Sequence, residues 1–101
     1  MSTSLEGRVV IVTGAGRGIG RAIADRFAGA GATVIINDID AATADEAAAA
    51  INASGGTATA VVADVADSTQ VNAMFDAVLA THGTVDVLVN CVGWDELKFF
   101  K

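Results

Sequence analysis

The 101-residue sequence has no proline and no tyrosine, and it holds one cysteine, one histidine and one tryptophan. A lone Cys91 excludes an internal disulfide framework and any cysteine-rich metal site, so no metal is expected. Long hydrophobic runs are also missing. None approaches the roughly 18 consecutive apolar residues of a membrane span, so no membrane partner is expected. Met1 to Gly7 offer neither a basic stretch nor an apolar one, which argues against a signal peptide. A cytoplasmic location fits that reading and the single thiol. Basic residues are scarce, 6 against 12 acidic, for a net charge of −6. An acidic domain repels phosphate backbones, so nucleic acid is not an expected partner.

The chain is 52% hydrophobic, too apolar for a disordered chain, and its length allows one small domain at most. All four arginines fall at Arg8, Arg17, Arg21 and Arg26, around one glycine-rich segment; the two lysines are Lys98 and Lys101. Basic charge is therefore concentrated where an anionic ligand would gain from it.

The pattern along the chain alternates strands with helices. Val9-Val10-Ile11-Val12 is a continuous β-branched run, the mark of a strand buried on both faces. Ile19, Ile23 and Phe27 then recur at helical spacing, and Gly29 and Gly31 can end that helix. Thr33 to Ile36 predicts a second strand. Asp40 or Thr43 can cap the next helix, Thr43 and Glu46 having capping-box spacing, and Gly55-Gly56 stops it. Thr57 to Ala63 predicts a third strand. Asp67 and Gln70 cap a third helix with the stripe Val71, Met74, Phe75, Val78 and Leu79, ended by Gly83. His82 there complements the helix dipole. Val85 to Val89 predicts a fourth strand, interrupted only by Asp86. Strict alternation with right-handed crossovers predicts an α/β fold, the first half of a three-layer doubly wound (Rossmann-type) parallel sheet of order 3-2-1-4. The fourth strand would be an edge, yet it is too apolar for one. Three of the five aromatics, Trp94, Phe99 and Phe100, fall in the last eight residues. Both features predict that residues 1–101 are the front part of a single larger domain.

The segment Thr13-Gly14-Ala15-Gly16-Arg17-Gly18-Ile19-Gly20 joins the first strand to the first helix. Four glycines in seven residues permit positive φ and let backbone N–H groups approach a ligand closely. A helix N-terminus opens on the same turn, which suits a pyrophosphate. A simple turn would need one glycine. No lysine stands nearby, so a P-loop is excluded, and the strict G-x-G-x-x-G spacing fails because its third position would be Ile19 or Arg21. Thr-Gly-x-x-x-Gly-x-Gly remains, on Gly14, Gly18 and Gly20.

This turn resembles the cofactor motif of the short-chain dehydrogenase/reductase family. The resemblance covers nearly the whole chain, because later signatures follow in order: Asp38 at the end of strand 2, Asp64-Val65 after strand 3, and Asn90-Cys91-Val92-Gly93, similar to the family's Asn-Asn-Ala-Gly. It implies cofactor contacts from Gly14, Gly16, Arg17, Gly18, Ile19 and Gly20. Asp38 lies about 18 residues beyond Gly20, where an acidic residue takes the adenine-ribose hydroxyls. Its carboxylate would repel the 2′-phosphate of NADP by roughly 4 kcal/mol per unit charge at about 4 Å and an effective dielectric near 20. Arg17 pulls towards NADP but can turn to solvent, so NAD is the expected cofactor. Asp64 and Val65 resemble the family's adenine-edge contacts. Asn90 is implied as a brace of the sheet beside the cofactor, and Gly93 as a point of close cofactor approach. Cys91 and Val92 depart from the family's Asn and Ala, and Cys91 reads as a small buried hydrophobe.

The resemblance also implies an oxidoreductase, with a secondary alcohol or ketone as the small-molecule substrate, assembled as a homo-oligomer. Trp94-Asp95 is similar to a branch that acts on hydroxyacyl thioesters; a loop aromatic is the plainer reading. The family's chemistry uses a Tyr-x-x-x-Lys pair. Here Trp94 stands four residues before Lys98 and Leu97 four before Lys101, and neither exchanges a proton at neutral pH. No catalytic residue is therefore assigned, and the 101 residues alone are expected to be catalytically incomplete. Two other readings compete. One is a non-catalytic NAD-binding module. The other is an S-adenosylmethionine-dependent methyltransferase fragment, disfavoured because Val12 stands where that fold wants an acidic residue.

Overall fold

The computed structural model describes residues 5–91. They form β1 (Val9–Thr13), α1 (Gly18–Gly29), β2 (Thr33–Asp38), α2 (Ala41–Ala53), β3 (Thr57–Val62), α3 (Ser68–His82) and β4 (Val87–Asn90). The pairings are all parallel and the strand order is β3-β2-β1-β4, as the alternation predicts.

All five residues of β1 are buried, which is what an unbroken β-branched run demands of a strand covered on both faces. Val10 and Val12, with Val34, Ile36 and Ala58, meet α1 and α2 on one face. Val9, Ile11 and Ile35 meet Met74 and Val78 of α3 on the other. The result is three layers, with the glycine-rich turn carried to the C-terminal edge of the sheet by its best-buried strand.

The helices approach the sheet more closely than the apolar spacing predicts. In α1 the buried residues are Gly20 and Ala24. Ile23 and Phe27 pack at the margin of the core, and Ile19 is 53% exposed. Small residues face the strands because the turn draws the helix in against them. In α3, Met74 and Val78 are buried and Leu79 is exposed, so that stripe is also narrower than expected.

Asp40, not Thr43, is the N-cap of α2, accepting the Thr43 N–H at 3.1 Å. Asp67 caps α3 by accepting the Thr69 N–H at 2.9 Å. Gln70 donates to Asp67 Oδ2 at 3.1 Å, but its own oxygen takes the Asp64 N–H at 2.8 Å instead of closing a capping box on Asp67. The cap is thereby extended back to the β3 exit. Helices α1 and α2 both end in Schellman-type bonds, Ala32 N–H to the Phe27 carbonyl and Gly56 N–H to the Ile51 carbonyl.

β4 starts at Val87, two residues later than its apolar run predicts, and Asp86 is the reason. Its Oδ2 accepts the Val9 N–H at 2.8 Å, and its own N–H donates to the Val9 carbonyl at 2.8 Å. Asp86 thus fastens the entry of β4 to β1. Val87 and Val89 then pack towards the α1–α2 layer, while Leu88 on the opposite face is 51% exposed.

Replacing Asp86 with Ala removes a charged acceptor from a half-buried N–H. It should lower the unfolding free energy by about 1.5 kcal/mol in urea denaturation. Asp86→Asn keeps an acceptor oxygen and should lose clearly less. Equal losses would mean that the ion pair to Arg8, at 3.9 Å and largely in solvent, carries the effect, contrary to the small value of exposed pairs.

Candidate cofactor site

After Thr13 the chain reverses within four residues. Gly14 and Gly18 take φ of 62° and 64°, the left-handed region that side chains rarely tolerate. A Cβ on Gly18 would meet nothing within 4 Å, so the space beside it is open. Gly16 and Gly20 are needed for contact instead. A Cβ on Gly20 would strike the Gly14 carbonyl, with the Gly14 carbonyl carbon at 2.9 Å and Ala15 Cα at 3.1 Å. A Cβ on Gly16 would strike the Thr43 methyl and stand 2.7 Å from Asp38 Oδ2.

α1 opens directly on this turn. Its N-cap, Arg17, is extended and supplies no side-chain cap, and the first turn holds no acidic residue. Helices α2 and α3 each close their N-termini with an aspartate. The leading N–H groups and positive dipole end of α1 are therefore offered to the turn, an arrangement that favours an anion.

Asp38 closes the other side. It is 7% exposed, and backbone donors hold both oxygens: Gly16 N–H to Oδ2 at 3.0 Å and Asp40 N–H to Oδ1 at 3.1 Å. An ionised carboxylate has about four acceptor positions, so these two bonds leave capacity on each oxygen. Arg17 is exposed. The Asp40 carboxyl titrates below its ordinary value, chiefly because the Thr43 N–H donates to it, with the Arg17 charge adding a smaller pull.

Thr13, buried at the end of β1, accepts the Cys91 N–H at 3.0 Å and donates to Asn90 Oδ1 at 2.9 Å. With Thr13 paired to Asn90 in the ladder, the ends of β1 and β4 are locked together. Cys91 is buried, and burial pushes its thiol pKa up.

Asn37 does the same work between β2 and β3. Its Nδ2 donates to the Val61 carbonyl at 3.1 Å and the Ala63 carbonyl at 3.2 Å, and its main-chain carbonyl accepts the Ala15 N–H at 2.8 Å. Oδ1 is buried with no hydrogen-bond partner among the described residues, an arrangement that costs about 1–3 kcal/mol. Asp64 and Val65 leave β3 at the same edge. Asp64 Oδ1 accepts the Ala66 N–H at 2.9 Å, forming a local turn. Ile39, next to Asp38, is 66% exposed.

The structure thus brings together Gly14 to Gly20, Asp38, Asp64, Val65 and Asn90 at the C-terminal ends of four adjacent strands. His82 lies apart, in the last turn of α3. Gly93, Trp94 and Asp95 lie outside the described residues. Thr13, Asn37 and Ile39 were not singled out as site residues by the sequence. The available signal was polar residues ending two apolar strands, where asparagine in particular is unfavourable. A cleft of about 510 Å³ opens between α1 and the end of α2, lined by Arg21, Asp25, Ile51 and Gly55 among others. None of the predicted site residues lines it.

A parallel sheet whose strand order reverses beside β1, with a glycine-rich turn and an open helix N-terminus at that point, defines the dinucleotide-binding class of doubly wound folds. Residues 8–101 match the short chain dehydrogenase family, and the chain belongs to it. It is 44% identical over 89 residues to the short chain dehydrogenase/reductase dpchG of Colletotrichum higginsianum, covering 88% of this chain and 33% of that protein. It is 42% identical over 89 residues to the 7alpha-hydroxysteroid dehydrogenase of Escherichia coli, covering 88% and 35%. Among solved structures, a 7alpha-hydroxysteroid dehydrogenase complexed with NADH and 7-oxo glycochenodeoxycholic acid superposes with a TM-score of 0.82 at 42% identity, over 85% of this chain and 34% of that one. A citronellol catabolism dehydrogenase of Pseudomonas aeruginosa superposes at 0.87 and 32% identity, over 89% and 38%. The chain spans about a third of the length of these two relatives. Family membership sets aside the methyltransferase reading.

Two consequences can be measured. Gly20→Ala forces a methyl against backbone that cannot swing away and should destabilise the fold by about 1–3 kcal/mol in chemical denaturation. The Cys91 thiol should resist alkylation in the native protein at pH 8 and react on unfolding. Its raised native pKa has a defined sign. The contribution to stability is intact below the ordinary value of 9.0 and falls as pH climbs from there towards the native value. Rapid native alkylation at pH 8 would contradict the burial.

Proposed function

We propose that this chain is the NAD-binding portion, the N-terminal part of one dinucleotide-binding domain, of a short-chain oxidoreductase. The whole protein interconverts a secondary alcohol and a ketone. The observation that carries this reading is the Asp38 carboxylate, held by the Gly16 and Asp40 N–H groups beside the uncapped N-terminus of α1. Family membership and the NADH-bound relative support the nicotinamide class.

The residues present fit that group. The open space at Gly18 and the leading N–H groups of α1 suit a pyrophosphate. The remaining acceptor positions of Asp38 suit two ribose hydroxyls. Asp64 can accept from an adenine amino group, with Ile39 and Val65 as apolar walls. Ile19, exposed at the turn, and Asn90, at the end of β4, complete the cofactor side among the described residues, and the family resemblance adds Gly93 by its place in the sequence. When bound, the nicotinamide supplies the hydride chemistry. The chain's part is to bind and orient. Its 101 residues contain no tyrosine, so the proton relay and the alcohol pocket are assigned outside them. A homo-oligomer in the cytoplasm is the assembly and location that go with this reading.

NAD is favoured over NADP by the fixed negative charge at Asp38. A 2′-phosphate would have to displace or face a carboxylate that two backbone donors keep in place. Arg17, which could offset this, has the Asp40 charge near it. In fluorescence titrations NADH should bind about tenfold or more tightly than NADPH. Asp38→Ala should narrow or invert that ratio. Equal affinities in the unsubstituted protein would overturn the choice of cofactor, and binding of neither would overturn the function.

A further inference from the structure

We propose that Asn37 is a positioning residue that couples the glycine-rich turn to the loop carrying Asp64 and Val65, and so sets affinity for the adenosine half of the cofactor; this rests on the function proposed above. The argument begins with the ladder between β2 and β3. Asp38 pairs with Val62, and the Ala63 N–H donates to the Asp38 carbonyl at 3.2 Å. In a parallel ladder that continued, the Ala63 carbonyl would next receive the Asp40 N–H. That N–H is taken by Asp38 Oδ1. The side-chain amide of Asn37 fills the place, donating to the Ala63 and Val61 carbonyls together.

One residue therefore touches all three parts of the site. Its carbonyl holds Ala15 in the turn, its chain neighbour is Asp38, and its amide holds the backbone that leads into Asp64. The orientation of the amide is fixed, because a flip would set Oδ1 against two carbonyl oxygens. Oδ1 is left without a partner among the described residues, although Asn37 is only 1% exposed. Buried polar atoms in a purely structural role are ordinarily satisfied. The two donor bonds to the Val61 and Ala63 carbonyls therefore fix how the amide sits.

The test compares ligands that share different halves of the cofactor. Asn37→Ala and Asn37→Ser are titrated with NADH, AMP and reduced nicotinamide mononucleotide, with folded fraction checked by circular dichroism. Asn37→Ala should weaken AMP and NADH by a common factor of about ten and leave the mononucleotide unchanged. Asn37→Ser, which retains one donor, should recover part of the loss. A uniform loss across all three ligands, or no loss, overturns the proposal. If neither variant folds, amide hydrogen exchange on the unsubstituted protein decides: AMP should slow exchange at Ala15 and over residues 63–66 together, and protection of only one of these overturns it. The functional reading fails separately, if the unsubstituted protein binds neither AMP nor NADH.

Discussion

The hydrogen bond from the Gly16 N–H to the Asp38 carboxylate is the constraint on which the site depends. It joins residues separated by 22 positions and closes the glycine-rich turn onto the end of β2. The same carboxylate takes the Asp40 N–H, so the start of α2 is set from the same point. A carboxylate this far from water would be unfavourable without such donors. Each bond to a charged acceptor contributes roughly 1.5–3 kcal/mol, which offsets that penalty. Gly16 follows from this geometry, since any side chain there would compete with the carboxylate and with the Thr43 methyl for one space.

The positive character of the turn comes mainly from backbone. Arg21 lies 3.6 Å from Asp25, and Arg8 stands before β1, at the opposite end of that strand from the turn, 3.9 Å from Asp86. Arg17 is exposed, with Asp40 close enough to feel its charge. What is left to attract an anion is the set of N–H groups at the start of α1, which no side chain caps. Backbone dipoles of this kind are fixed by the fold, whereas a surface arginine is mobile and screened by salt. An acidic chain can in this way keep a local site for a phosphate-bearing ligand.

Much of the fold was legible in the sequence because its signals are local. A β-branched run, a glycine cluster and a helical stripe each state their own element, and strict alternation leaves few topologies. Asp38 was also legible, because it lies 18 residues beyond Gly20, where the family it resembles carries an acidic residue. The misreadings share one cause. Ile19, Leu79 and the start of β4 depend on how closely helices and strands approach each other, and periodicity contains no distance. Gly20 packs against the Gly14 carbonyl and so rotates α1 to bury glycine and alanine in preference to isoleucine. Asp86 read as an interruption because its partner, Val9, is 77 residues away. Asn37 escaped notice for the same reason: its role is defined by two carbonyls on another strand.

The position of β4 shows how polar bonds can replace apolar cover. On the face where α3 packs, Leu88 is exposed, so burial there does little to hold the strand. Its location is instead set at its two ends, by Asp86 on Val9 at the entry and by Thr13 on Asn90 and Cys91 at the exit. Clamps of this kind fix register, because a shift of one residue would leave each donor and acceptor unmet. Asn90 therefore owes its place beside the turn to a hydroxyl at the end of β1, and the alignment of the site's two sides is decided by register more than by packing.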